Sequence, residues 1–386
     1  MKDIIIPSAI QICLDDVAWD LGTDRRLYGE QSRTGMPRYH TLEDYEAVEM
    51  LGRAFNQKIL CPICVIDWDK DNLLRGQKGI THNPDAWDRA EAIDIPKMER
   101  FAAYIKDAKF MEIALHGVSH GAYTDEGKRI HESEFFRAAR LYNLERSLPL
   151  EQWDFDRRID LFFRIYNSWD FGKKVRTFVA PGGTCNTETE DLRPLAKWLK
   201  DAGIEYWYDS FCEKQPPIFM LEGLPCIHAS YKAPKSPKWD QYDYDPALLP
   251  QFHEEGAPRM CGYGMHWPNI LRFNPRRNPE CVALWIEFFQ NEAEKFGTMM
   301  ARDIAFATAQ GFYHFFAKIE TAEGGYKIDL SEATKLTGKR PPLYISLTNG
   351  IEPKGAIGAS VSLYETKKAF KTYELIPLND SILLQI

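Results

Sequence analysis

Among the residues able to do chemistry in this 386-residue chain, His116-Gly117-Val118-Ser119-His120 stands out. A spacing of four sets two imidazoles on one side of a single turn, as a bound divalent ion requires. Asp15 and Asp16 directly follow the apolar run from Ala9 to Leu14. Alone, such a doublet reads more simply as a turn or cap. Joined to the histidine pair, it supplies an acid plus two imidazoles, the facial ligand set of a catalytic divalent ion with open positions, and leaves a second acid to serve as base. Other polar residues close other apolar runs in the same way: Asp67, Pro181-Gly182-Gly183, Asp209, His228 and His266-Trp267. Four of the nine histidines lie at such ends, more than the polarity of loops alone accounts for.

The elements that position these residues follow from hydrophobic periodicity. Short apolar runs predict strands over 9–14, 58–66, 110–115, 175–179, 204–208, 224–227 and 262–265. Amphipathic stretches predict helices over 42–55, 96–108, 133–148, 189–202 and 279–296, with Thr41 and Asp44 as a capping box for the first and Gly203 as a C-cap for the fourth. Seven strand-helix units imply a parallel α/β sheet closed or nearly closed into a seven-stranded (β/α) barrel over residues 1–311. Beyond Gly311, Gly324-Gly325, Pro341-Pro342 and Asn349-Gly350 punctuate alternating runs, which predicts a small antiparallel β domain over 312–386. In parallel α/β folds chemistry sits at the carboxyl ends of the strands, where the residues above fall.

Composition narrows the partners. Forty-eight Lys and Arg against fifty-six Asp and Glu give a net charge of -8 without any basic run, which argues against nucleic acid or an anionic membrane. No secretory signal and no apolar stretch of about 20 residues is visible, so a cytoplasmic chain is expected. The eight Cys are irregularly spaced, as suits free thiols. Cys61-Pro62-Ile63-Cys64 has no second pair, and buried structural thiols are the better reading than zinc or redox work. Gly182-Gly183 lacks a following Lys-Ser or Lys-Thr, which favours a tight loop over a phosphate cradle. Aromatics reach 13%, which leaves sugar stacking open; Trp267, beside His266, is the foremost candidate, followed by His82, Trp87 and Trp207.

Taken in order, Leu14-Asp15-Asp16, the segment Glu112 to His120, Val179-Ala180-Pro181-Gly182-Gly183 and Gly264-Met265-His266 resemble the motifs of the NodB-type polysaccharide deacetylases, metal-dependent carbohydrate esterases, over about residues 9–302. The resemblance implies a distorted barrel of seven β/α units and removal of an acyl group from an amino sugar or polysaccharide. It also implies Asp15 as general base, Asp16, His116 and His120 as ligands of Zn²⁺ or a similar divalent ion, and His266 as general acid. Substrate contacts then fall to Pro181, Gly182, Trp267, Asp67 and Asp209. His228 competes for the acid role; His266 is preferred because a long helix follows it. The family's third motif places Arg two residues before the proline, where this chain has Val179, and Arg176 lies on the opposite face of the same strand. That departure keeps two rivals open: a catalytically weak carbohydrate-binding barrel, and a hydrolase of small non-peptide C–N bonds.

Overall fold

A computed structural model describes residues 3–18, 38–123, 129–131, 135–138, 147–149, 151–181, 192–209, 217–228 and 261–386. Its centre is a nine-stranded sheet. Seven strands match the expected runs: β2 (Ser8–Asp15), β3 (Ile59–Ile63), β4 (Met111–Leu115), β9 (Thr177–Val179), β10 (Tyr206–Asp209), β12 (Leu224–His228) and β13 (Gly262–His266). They run parallel in the order β12-β10-β9-β4-β3-β2-β13. Every residue of β2 is buried, because both faces of the sheet are covered. Its alternation sorts side chains between two cores: Ile10, Ile12 and Leu14 face the helical layer, whereas Ala9 and Cys13 face inward with Leu60, Ala114, Val179 and Tyr208.

The expected closed barrel is not found. Among the described residues the pairing is an open path, because β11 (Ile218–Leu221) lies antiparallel on the outer edge of β12, where β13 would have to close the ring. The sheet is nonetheless strongly curled. The Tyr208 hydroxyl of β10 donates to the carbonyl of Gln11 on β2 across the interior (3.3 Å), and a Cβ at Gly262 of β13 would overlap the Tyr208 ring. Periodicity did not separate out three further elements. β14 (Thr298–Met300) adds to the edge of β2 before β13 begins there, β11 caps the far edge, and a helix over Ile304–Phe316 stands between the two edges. There its Gly311 approaches so closely that a Cβ would lie 2.7 Å from the Cys261 sulfur and 3.0 Å from Ile218.

Helix α1 (Leu42–Phe55) starts where Asp44 accepts the N–H of Thr41 (2.9 Å) and stops at Asn56, whose φ is 49°. Three more expected helices form with shifted ends: α3 (Ile95–Asp107), after the short α2 (Arg89–Ala92), then α5 (Arg193–Asp201) and α6 (Asn278–Ala293). The expected helix over 133–148 is wrong. Within that stretch β7 (Phe136–Ala138) pairs antiparallel with β8 (Ser147–Pro149), and the helix between β4 and β9 is instead α4 (Gln152–Asn167). The α4 stripe of Phe155, Ile159, Phe162 and Tyr166 is buried at helical spacing.

The helix that fills the gap is α7 (Ile304–Phe316), and α8 (Ser331–Thr337) follows it. The remaining strands are β15 (Lys318–Ala322), β16 (Gly325–Asp329), β17 (Leu343–Thr348), β18 (Gly355–Ile357), β19 (Ala359–Thr366), β20 (Phe370–Pro377) and β21 (Ser381–Gln385). They form two antiparallel sheets, one of which takes in the N-terminal β1 (Ile4–Ile5) against β17. The inner core continues through α7 to Leu343, Leu375 and Leu384 of these sheets. No helix among the described residues is long and apolar enough to cross a membrane.

Candidate metal centre

The carboxyl ends of β2, β4 and β13 meet at one buried point. Asp16 is the first residue beyond β2 and takes φ of 64°, so the chain turns sharply there and the N–H of Val17 reaches the carbonyl of Pro62 (3.1 Å). The histidine turn leaves β4 through Gly117 (φ 85°) and ends on His120 (φ 55°). It is pinned on three sides: His116 N–H to Ile63 O (3.1 Å), Ile66 N–H to Val118 O (2.9 Å), and Ser119 Oγ to Ile80 O (2.7 Å). Left-handed backbone at a non-glycine residue is uncommon and costs energy, and two instances converge on this site. Their product is a cluster in which ligand atoms of Asp16, His116 and His120 lie within 4.8 Å of one another.

The donor set fits a divalent transition metal. Nε2 of His116 and of His120 stand 3.6 and 3.7 Å from Asp16 Oδ1. Two ligands at about 2.0–2.1 Å in a tetrahedral shell are separated by roughly 3.3 Å, so the observed spacings are a few tenths of an ångström wide of that geometry. His116 Nδ1 lies 2.9 Å from the carbonyl oxygen of Val179, which can only accept. The proton therefore sits on Nδ1 and the Nε2 lone pair is left to face Asp16, the second-partner arrangement that fixes the tautomer of metal-binding histidines. Asp16, His116 and His120 are each exposed by 2% or less, and a carboxylate so deeply placed demands a compensating charge or hydrogen bonds.

Asp15 and His266 flank this trio and are opposite each other in the β2–β13 register. Asp15 is equally buried and accepts a hydrogen bond from the Cys13 thiol, two residues back on the same face of β2 (3.1 Å). His266 ends β13 and caps a 3₁₀ turn over Trp267–Ile270: its N–H donates to Asn269 Oδ1 (2.9 Å) and its ring takes the Asn269 N–H in return. The ring Nε2 lies 3.9 Å from Asp16 Oδ2, on the side away from the other two histidines, and His266 keeps 13% of its side chain exposed.

The other expected contacts divide. Asp67 is buried beside the histidine turn, held near by the Ile66–Val118 bond. Pro181 is buried just past β9, while Gly182 and the side chains of Asp209 and His228 lie outside the described residues. Trp267 does not face the site. It is fully buried, donates from Nε1 to Asp44 O (3.2 Å) and packs edge-on against His40 and Tyr45, so it offers no ring face to a sugar. Trp87 and Trp207 are also core residues, 3% exposed. Arg176 is committed at the amino end of the sheet to Glu112 (2.8 Å), far along the strand from the orienting role of the resembled family. Cys61 and Cys64 are buried free thiols; burial pushes the Cys61 thiol far up, and Cys64 donates to the His116 carbonyl (3.0 Å). Sequence reasoning missed three supports: the Val179 carbonyl, the Cys13 thiol and Asn269. A backbone carbonyl leaves no sequence signal, but Cys13 was findable as the same-face neighbour of Asp15.

No protein-family model matches the chain, and no curated protein matches its sequence. Two solved structures share loose likenesses with it. One is a presumed polysaccharide deacetylase from Mycobacterium smegmatis, at 13% identity and a TM-score of 0.39, covering 76% of this chain and 86% of that one. The other is an endogalactoceramidase, at 11% identity and a TM-score of 0.32, covering 98% and 96%. At such scores neither likeness bears on function, which rests on the geometry above.

Proposed function

We propose that the chain is a metal-dependent hydrolase that removes an acyl group from an amino sugar or glycoconjugate. The observation that carries this reading is the convergence of Asp16, His116 and His120, with the His116 tautomer set for ligation by Val179. Bound there, Zn²⁺ or a similar ion would act as a Lewis acid, lowering the pKa of water and polarising the acyl oxygen.

The remaining work belongs to the protein. Asp15, adjacent to the ligand Asp16 and oriented by the Cys13 thiol, takes the proton of the attacking water. His266 approaches from the paired strand β13 and is the most solvent-accessible of the five residues, which suits it, as the imidazolium, to deliver a proton to the departing amine or alkoxide. No Ser nucleophile or glycosidase-type carboxylate pair is required. The amino-sugar substrate rests on the motif order alone, since the tryptophan expected to stack on it is buried.

The test is acetate release from N-acetylated glucosamine oligomers by the zinc-loaded protein, with small cyclic amides in parallel. The expected result is release from the sugars that disappears in Asp15→Asn. Release from cyclic amides alone would move the substrate class, and glycan binding without release in any divalent metal would replace the enzyme by a binding protein.

A further inference from the structure

The described residues enclose a second concave site at the opposite end of the sheet from the metal centre. It is a cavity of about 670 Å³ between the first residues of β10 and β12 and the helices α7 and α8. That volume suits a small organic ligand. Its body is apolar, with Leu224, Met220, Ala309 and Phe312 on the walls, and its charged groups are Lys174, Lys200, Lys339 and Glu205.

The polar chemistry left available there is narrow. Of the four hydroxyl-bearing residues on the wall, three are committed to backbone carbonyls, Thr308 to Ile304 (2.7 Å), Thr337 to Ala333 (2.9 Å) and Tyr313 to Pro341 (2.9 Å), and Tyr206 is the fourth. A sugar would therefore meet few free hydrogen-bonding partners. Glu205 is taken by Lys174 at 2.5 Å, which cancels that pair. Lys200 reaches only the carbonyl of Glu222 (3.2 Å), and Lys339 has no ion-pair partner among the described residues. The unspent groups are thus two ammonium ions, with the Tyr206 hydroxyl, beside an apolar hollow. Polyphosphates are commonly gripped by an Arg fork, and no arginine lines the wall.

We propose that this cavity binds a monoanionic amphiphile, a carboxylate with an apolar tail of medium length, its head on Lys200 and Lys339 and its tail against Phe312 and Ala309. Its walls come from the parallel sheet, α7 and the segment at α8 and Pro341, so an occupant braces the sheet against the C-terminal strands. Binding to the folded chain alone then raises the melting temperature. This site is independent of the hydrolase reading.

The experiment uses the full chain without added metal. Decanoate, kept below its micelle concentration, is titrated calorimetrically and in thermal melts. One saturable site and a raised Tm are expected. Binding should weaken by about tenfold or more for neutral decanol and for the double variant Lys200→Gln/Lys339→Gln, both of whose positions are exposed. Ala309→Trp, which fills the hollow, should abolish binding. Should Ala309→Trp fail to fold, the lysine variant decides. No saturable binding of decanoate up to about 1 mM, equal affinity for decanol, or undiminished affinity in the lysine variant would overturn the proposal.

Discussion

At the scale of single residues, the proposed function divides the site into groups that would hold an ion and groups that would move protons, and substitutions should separate them. His116→Ala removes one of three ligands, so zinc should raise the Tm of the parent chain and leave that of the variant unchanged; an equal rise in both would remove His116 from the ligand set. Asp15→Asn should keep the zinc-dependent Tm rise yet lower the hydrolytic rate by about 10²–10⁴, the usual contribution of a positioned base. The five central residues were legible as candidates in the sequence because they lie at or shortly beyond the ends of strands and because histidines at a spacing of four are rare enough to notice. Trp267 was misread for the same reason: adjacency to His266 said nothing of which way the ring turns. It turns inward because the 3₁₀ turn capped by His266 swings it onto His40 and Tyr45.

At the scale of elements, the carboxyl ends of the strands are held by contacts that periodicity cannot reveal. Gly52 lies inside α1, where a Cβ would sit 2.5 Å from Phe110 Cβ and 2.6 Å from the Gln57 carbonyl. Alanine usually improves a helix interior by about 1 kcal/mol over glycine, but overpacking against backbone costs about 1–3 kcal/mol, so Gly52→Ala should lower stability, measured by urea unfolding. Asp44 ties the start of α1 to α6, accepting from Arg38 (2.8 Å), Thr41 N–H and Asn278 (2.8 Å). Burial would raise its carboxyl, but the Arg38 guanidinium, the nearby His40 and the Thr41 N–H together hold it below its ordinary 3.8. A lowered carboxylate stabilises the fold above its unfolded pKa, and that contribution is lost as pH falls through the lowered value. The parent chain should therefore lose stability below about pH 4 more steeply than Asp44→Asn, and parallel acid titrations would count against this role. The failed helix over 133–148 belongs to this scale too. An apolar pattern there exists, but the described residues pair β7 with β8 and place the buried helical stripe in α4.

At the scale of the whole molecule, the seven parallel strands could be read from the chain, whereas the open path that the sheet takes among the described residues could not. Closure depends on two edges meeting, and the antiparallel β11 and the inserted α7 decide that outcome through contacts hundreds of residues apart in part. Gly311 marks the tightest of them. Gly311→Ala should cost about 1–2 kcal/mol, read as a lowered Tm, because the new methyl would press on Cys261 and Ile218. The account's central claim is that Asp16, His116 and His120 form a metal centre, and diffraction from zinc-soaked crystals at the zinc absorption edge tests it most directly. The predicted result is one anomalous peak about 2.0–2.2 Å from the two Nε2 atoms and the Asp16 carboxylate. A featureless site, or a peak only at surface carboxylates or at Cys61 and Cys64, would contradict it.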